Sequence, residues 1–113
     1  MQEYNKENRE LFYQAVLSLK TKEECENFFE DVCTQTEIDA LSQRVQVAKM
    51  LDEKNIYTNI SKATGASSAT ISRVNRIFTS KHSGDGLRLV IKRLEGATKR
   101  TDTSRANNGA END

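Results

Sequence analysis

Residues 57–79 read YTNISKATGASSATISRVNRIFT. Residues 57–64 have Ile60 and Ala63 at helical spacing, and Gly65 then supplies the residue that tolerates positive φ at a helix end. Ser67 or Ser68 can cap a following helix that keeps Ile71, Val74, Ile77 and Phe78 on one face. Two short helices joined through a glycine turn make a helix-turn-helix, placed at about 57–79. Ile60, Ala63, Ile71 and Val74 are its expected core. That leaves Ser67, Ser68, Ala69, Ser72, Arg73 and Arg76 facing outward.

The outward set is small, hydroxylated and cationic. Small side chains let a helix sit deep in a major groove, hydroxyls meet base edges or phosphates, and Ala69 can touch a thymine methyl. Arginine grips guanine or phosphate. Ser67, Ser68, Ala69, Ser72 and Arg76 are therefore the expected base readers. Thr58, Lys62, Arg73 and Lys81 are candidates for backbone or peripheral contacts. A helical hairpin that binds no nucleic acid is the plain alternative, because helix–Gly–helix patterns are common.

Working upstream, residues 3–20 place Leu11, Phe12, Ala15, Val16 and Leu19 at helical spacing. Thr21–Glu24 is a capping-box pattern that starts a short helix through Cys25, Phe28, Phe29 and Val32. Thr34–Glu37 is a second, opening a long helix with Ile38, Leu41, Val45, Ala48 and Leu51 on one expected buried stripe. Asn55 is the expected stop. Downstream, residues 81–86 read as a loop. A last helix at 87–95 is expected to bury Leu87, Val90, Ile91 and Leu94. The expected organisation is one all-α domain over residues 1–97, followed by a disordered polar tail at 98–113.

The chain has 113 residues, no proline, five glycines and zero formal charge. The zero conceals an asymmetry. Residues 1–53 hold 12 carboxylates against 6 Lys/Arg, a charge of −6, and residues 54–100 hold 10 Lys/Arg against 2 carboxylates, a charge of +8. Residues 101–113 carry −2. A basic half that contains the helix-turn-helix suits an anionic partner; a solvated basic face is the alternative. No apolar run reaches membrane-spanning length, and the polar N-terminus does not read as a signal peptide. Cys25 and Cys33, eight residues apart on one helix, lie about 12 Å apart along its axis, too far for a disulfide. The expectation is a reduced, cytoplasmic protein.

Residues 60–73, ISKATGASSATISR, resemble the DNA-reading unit of bacterial repressors, LacI-type headpieces included. The upstream stretch 34–45, TQTEIDALSQRV, narrows the resemblance. Thr-x-x-Glu, then Ala-Leu and Arg-Val, followed by Gly-Ala and Ala-Thr-Ile-Ser-Arg, is similar to the tryptophan repressor superfamily. It fits best the Trp-repressor-related (YerC/YecD-type) branch, over roughly residues 10–95. The resemblance implies about six helices around a central helix-turn-helix, in an intertwined homodimer that sets one recognition helix into each of two successive major grooves of a near-palindromic operator. Phe12, Val16, Leu19, Phe28 and Phe29 would then be intersubunit core; an intramolecular core is the equal alternative.

The resemblance also implies a vestigial ligand pocket. The tryptophan repressor flanks its bound amino acid with two arginines, matched here by Arg44 and Arg73, while Thr34 and Thr70 match two threonines. The residue after the second arginine is glycine there and Val74 here. Overfilling a tight site costs about 1–3 kcal/mol, so tryptophan is not expected to bind. An undetermined small ligand in a reshaped pocket stays open; otherwise the role for Arg44 is a surface ion pair with Asp39 or Glu37. No cofactor, metal or membrane partner is expected. His82 is the only histidine, and no acid–base pair, P-loop or nucleophile motif appears, so an enzyme is not expected. The reading is a sequence-specific, double-stranded DNA-binding transcriptional regulator, a repressor. The alternative from another class is a helical adaptor that uses the basic half to bind protein.

Overall fold

Six helices and no strand occupy the described residues, 2–97 of a computed structural model. They are α1 (Gln2–Leu17), α2 (Lys22–Val32), α3 (Gln35–Asp52), α4 (Tyr57–Thr64), α5 (Ser68–Thr79) and α6 (85–97). The expected tail at 98–113 lies outside the described residues.

Local chemistry sets the boundaries. The first helix ends at Leu17, three residues before its expected end; the Ser18 hydroxyl donates to the Ala15 carbonyl at 2.6 Å, satisfying one of the last acceptors. At α2 the Thr21 hydroxyl accepts from the Glu24 amide at 3.1 Å. The Glu24 carboxylate reaches back to the Lys20 amide, one residue beyond the expected cap. At α3 the box closes fully. The Thr34 hydroxyl accepts from the Glu37 amide at 3.1 Å, and the Glu37 carboxylate accepts from the Thr34 amide at 2.8 Å. These bonds, the backbone one first, hold the Glu37 carboxyl below its ordinary value.

The stop after α3 differs from expectation. Lys54 takes the left-handed conformation (φ 67°), and it is Lys54, not Asn55, that turns the chain. The Asn55 amide donates to the Met50 carbonyl and the Lys54 amide to the Leu51 carbonyl, each at 3.0 Å, which is a Schellman closure. Asn55 adds its side-chain amide to Met50 at 3.1 Å. A lysine here bears the Cβ strain that glycine escapes. Lys54→Gly is therefore expected to stabilise the fold by about 1 kcal/mol, read as a raised midpoint in chemical denaturation.

The chain divides into two compact units after Ala40. In the N-terminal unit Phe12 lies 6.2 Å from Phe28 and 6.4 Å from Phe29, centroid to centroid, and Phe28 meets Phe29 edge-on at 5.2 Å. No residue described in this unit is buried. Leu11, Leu17 and Val32 are largely exposed, and Ala15, Val16, Leu19, Phe28 and Phe29 are half-buried.

The C-terminal unit holds the core: Val47, Ala48, Ile60, Ala66, Ile71, Val74 and Ile91, with Met50, Leu51, Phe78 and Leu87 packed against it. Several sequence expectations are corrected here. Leu41 and Val45 are exposed; Ala48 is buried as expected, and Val47, outside the expected stripe, is buried beside it. Ala63 is exposed and Ala66, in the turn, takes its place in the core. The last helix starts at 85 rather than 87; Ile91 is buried while Val90 and Leu94 are exposed.

Candidate nucleic-acid interface

Positions 57–64 and 68–79 are helices α4 and α5, and they pack on each other as a helix-turn-helix. Gly65 between them has φ 75°, and its amide closes α4 on the Ser61 carbonyl at 2.8 Å. The turn's polar groups are then satisfied in series. The Thr64 hydroxyl donates to the Ile60 carbonyl and accepts from the Ala66 amide. The Ser61 hydroxyl donates to the Ala66 carbonyl at 2.9 Å. From α3, the Gln43 side chain donates to the Thr64 carbonyl at 3.1 Å. Ala66 plugs the turn into the core at 2% exposure.

Helix α5 has two sharply different faces. Ile71 is fully buried and Val74 nearly so, with Phe78 beside them in sequence register. Ser68, Ala69, Ser72, Arg73 and Arg76 are all exposed. Ala69, Ser72, Arg73 and Arg76 fall at i, i+3, i+4 and i+7, one stripe of a helix. Among the described residues, the hydroxyls of Ser68 and Ser72 make no hydrogen bond. Lys62, Arg73, Arg76 and Lys81 are exposed and, among the described residues, take no part in an ion pair such as Lys22–Glu26, Lys49–Glu53 or Arg88–Asp85. Four cations on α4, α5 and the segment after it thus remain free to meet an anion. Thr58, in the first turn of α4, is exposed as well.

Ser67 is exposed, but its hydroxyl is engaged. It accepts from the Thr70 amide at 3.2 Å and donates to the Thr70 hydroxyl at 3.1 Å, as the N-cap of α5. Removing a cap hydroxyl costs about 1 kcal/mol. Ser67→Ala is expected to lower stability by about that amount, and Ser68→Ala by less than about 0.5 kcal/mol, in equilibrium denaturation.

Of the residues matched to a ligand pocket, Thr34, Thr70 and Val74 have structural occupations. Thr34 is the cap of α3 in the N-terminal unit. In the C-terminal unit Thr70 is half-buried and bonded to Ser67, Arg44 and Arg73 are exposed, and Val74 is 5% exposed in the core. Glu37, one expected ion-pair partner of Arg44, has its carboxylate on the Thr34 amide.

One residue of this region went unremarked in the sequence beyond its charge. The Arg88 guanidinium, from α6, reaches back to the end of α5. Nη1 donates to the carbonyls of Phe78 at 2.7 Å and Ser80 at 2.9 Å, with Ile77 at 3.5 Å. Nη2 donates to the Ser83 carbonyl at 2.8 Å and to Asp85 Oδ1 at 2.7 Å. Gly84 (φ 86°) lies against the Ile77 carbonyl and Arg88 Nη1.

Comparison with known proteins gives a consistent result. A family model described as Trp repressor protein matches residues 7–95. "Uncharacterized protein YerC" of Bacillus subtilis (strain 168) is 46% identical over 83 residues, 74% of this chain and 78% of that protein. The crystal structure of a TrpR-like protein from Eubacterium eligens ATCC 27750 is 53% identical, with a TM-score of 0.71 over 76% of this chain and 87% of the other. A second crystal structure, from Staphylococcus aureus, is 41% identical, with a TM-score of 0.73 over 78% and 86% of the two chains.

Proposed function

The chain belongs to the Trp repressor family, and from that premise we propose that it is a sequence-specific, double-stranded DNA-binding transcriptional repressor that works as a homodimer. The observation that carries this reading is the outer face of α5. Ser68, Ala69, Ser72, Arg73 and Arg76 form an exposed stripe of short and cationic side chains, backed by buried Ile71 and Val74. Such a helix enters a major groove and presents donors, acceptors and a methyl to base edges. Arg73 or Arg76 can grip a guanine in bidentate fashion, while Lys62, Lys81 and Thr58 reach flanking phosphates. Ser67 sets where the helix starts, and its backbone and cap lie at the same groove-facing end.

Dimerisation is supported by the N-terminal unit. It exposes Leu11 and Leu17 and buries none of its described aromatic side chains, so a second copy would cover apolar surface that one chain leaves wet. Tryptophan is not the effector in this reading, because Val74 occupies core volume where the tryptophan repressor has glycine.

The test is a selection from random duplex DNA at physiological salt, followed by sequencing. The expected result is a two-fold symmetric motif with half-sites about one helical turn apart. Absence of any enriched motif, together with binding that does not weaken as salt rises, would favour the protein-binding adaptor instead.

A further inference from the structure

Each end of α5 is secured differently. Its start is held by the Ser67 cap and, through the turn, by Gln43 on α3. Its last turn ends in orphan carbonyls, as every helix does. Backbone closure there is slight, with a Ser80 amide bond to Ile77 at 3.3 Å. Arg88 adds side-chain donors there. One nitrogen spans the carbonyls of Phe78 and Ser80 and approaches Ile77; the other holds the Ser83 carbonyl and Asp85. A planar guanidinium can face two such groups of acceptors at once, whereas an ammonium cannot. The positive charge also sits at the negative end of the α5 dipole. The side chain is about one-third exposed, at 34%, and all four of its terminal N–H groups are engaged.

We propose that Arg88 is a positioning residue for DNA recognition: it fixes the end of α5, and so the placement of Ser72, Arg73 and Arg76 in the groove, without touching DNA itself. This rests on the DNA-binding reading above. Arg76 lies within one turn of the carbonyls that Arg88 holds. Releasing the end of α5 while the cap holds its start therefore displaces Arg76 more than Ser68. Base contacts need placement to a fraction of an ångström, while phosphate contacts tolerate slack. Loosening the clamp should therefore cost sequence discrimination before it costs charge attraction.

The experiment uses the full chain, the duplex enriched by selection, and a scrambled duplex of equal length, with affinities measured across a salt series. Arg88→Lys keeps the charge but loses the two-sided grip. Its expected result is helix content equal to the wild type and an affinity for the enriched duplex about tenfold weaker, about 1.4 kcal/mol. Affinity for the scrambled duplex and the salt dependence should not change. An unchanged affinity for the enriched duplex in the folded variant would reduce Arg88 to a purely structural part and overturn the proposal. So would equal weakening on both duplexes with the log–log salt slope shallower by about 0.9, the mark of a lost phosphate contact. If Arg88→Lys does not fold, Asp85→Ala takes its place, since that side chain is 98% exposed and its loss removes one acceptor of the guanidinium. It must lower the ratio of enriched to scrambled affinity, and an unchanged ratio overturns the proposal. A wild-type chain that fails to distinguish the two duplexes removes the underlying DNA reading, and this shows in the wild-type lane before any variant is compared.

Discussion

Gly84→Ala is expected to destabilise the protein by about 3–5 kcal/mol, a large share of the stability of an ordinary domain. Two independent costs combine. The φ of 86° lies where a Cβ is strained by about 1–2 kcal/mol. An added Cβ would also fall 2.1 Å from the Ile77 carbonyl oxygen and 2.9 Å from Arg88 Nη1. The carbonyl belongs to the last turn of α5 and cannot swing aside without giving up that turn. The loop must therefore move, and Arg88 then loses the geometry that lets one guanidinium serve both sides. Two other glycines calibrate the effect. Gly65 shares the positive φ, at 75°, but its nearest neighbour is a flexible side-chain nitrogen of Gln43 at 4.0 Å. Gly65→Ala should therefore cost only the backbone term, about 1–2 kcal/mol. Gly86 lies in α6 with nothing within 4 Å, so Gly86→Ala should stabilise by about 0.5–1 kcal/mol. Chemical denaturation of the three variants should rank them in that order. A Gly84→Ala midpoint equal to that of Gly65→Ala would mean that the contact with Ile77 is dispensable.

This glycine and its arginine also show where sequence reading stops. The helix-turn-helix was legible because each of its decisions is local: Gly65 for the left-handed turn, Ser67 for the cap, Ile71 and Val74 one face apart from Ser72, Arg73 and Arg76. The Thr34–Glu37 capping box and the Thr21 cap were legible for the same reason. Which stripe of α3 goes inward was legible only in part, at Ala48 and Leu51. Its apolar residues include Ile38, Leu41, Val45, Val47, Ala48, Met50 and Leu51, which nearly encircle the helix, and only packing against α4, α5 and α6 selects Val47 and Ala48. Ala63 was misplaced because eight residues, barely two turns, define no face securely. Lys54 was missed as the turning residue because lysine is disfavoured at positive φ; the Schellman bonds to Met50 and Leu51 outweigh that preference. Arg88 looked like one more solvated cation of the basic half. Its partners lie three to eleven residues away, and no spacing rule connects it to carbonyls at the end of another helix.

Arg76→Ala is expected to weaken binding to the enriched duplex by about 10- to 100-fold, the range for losing one base-reading arginine. Thermal stability should stay within about 0.5 kcal/mol, because the side chain is exposed and is in no described ion pair. The size of the effect follows from placement. Arg76 ends the stripe that begins at Ala69, on a helix whose opposite side is buried through Val74. It is long enough to reach across a groove that short Ser68 and Ser72 leave open. If it reads a base, discrimination should relax at one symmetric pair of operator positions and persist elsewhere. Lys62→Ala, on α4, provides the contrast: a smaller loss spread evenly over all duplexes, with a shallower salt slope. Should Arg76→Ala behave like Lys62→Ala, Arg76 is a phosphate contact, and base reading falls to Ser68, Ala69, Ser72 and Arg73. Should neither substitution change duplex binding, the exposed stripe of α5 is not the interface, and the basic half must face a partner of another kind.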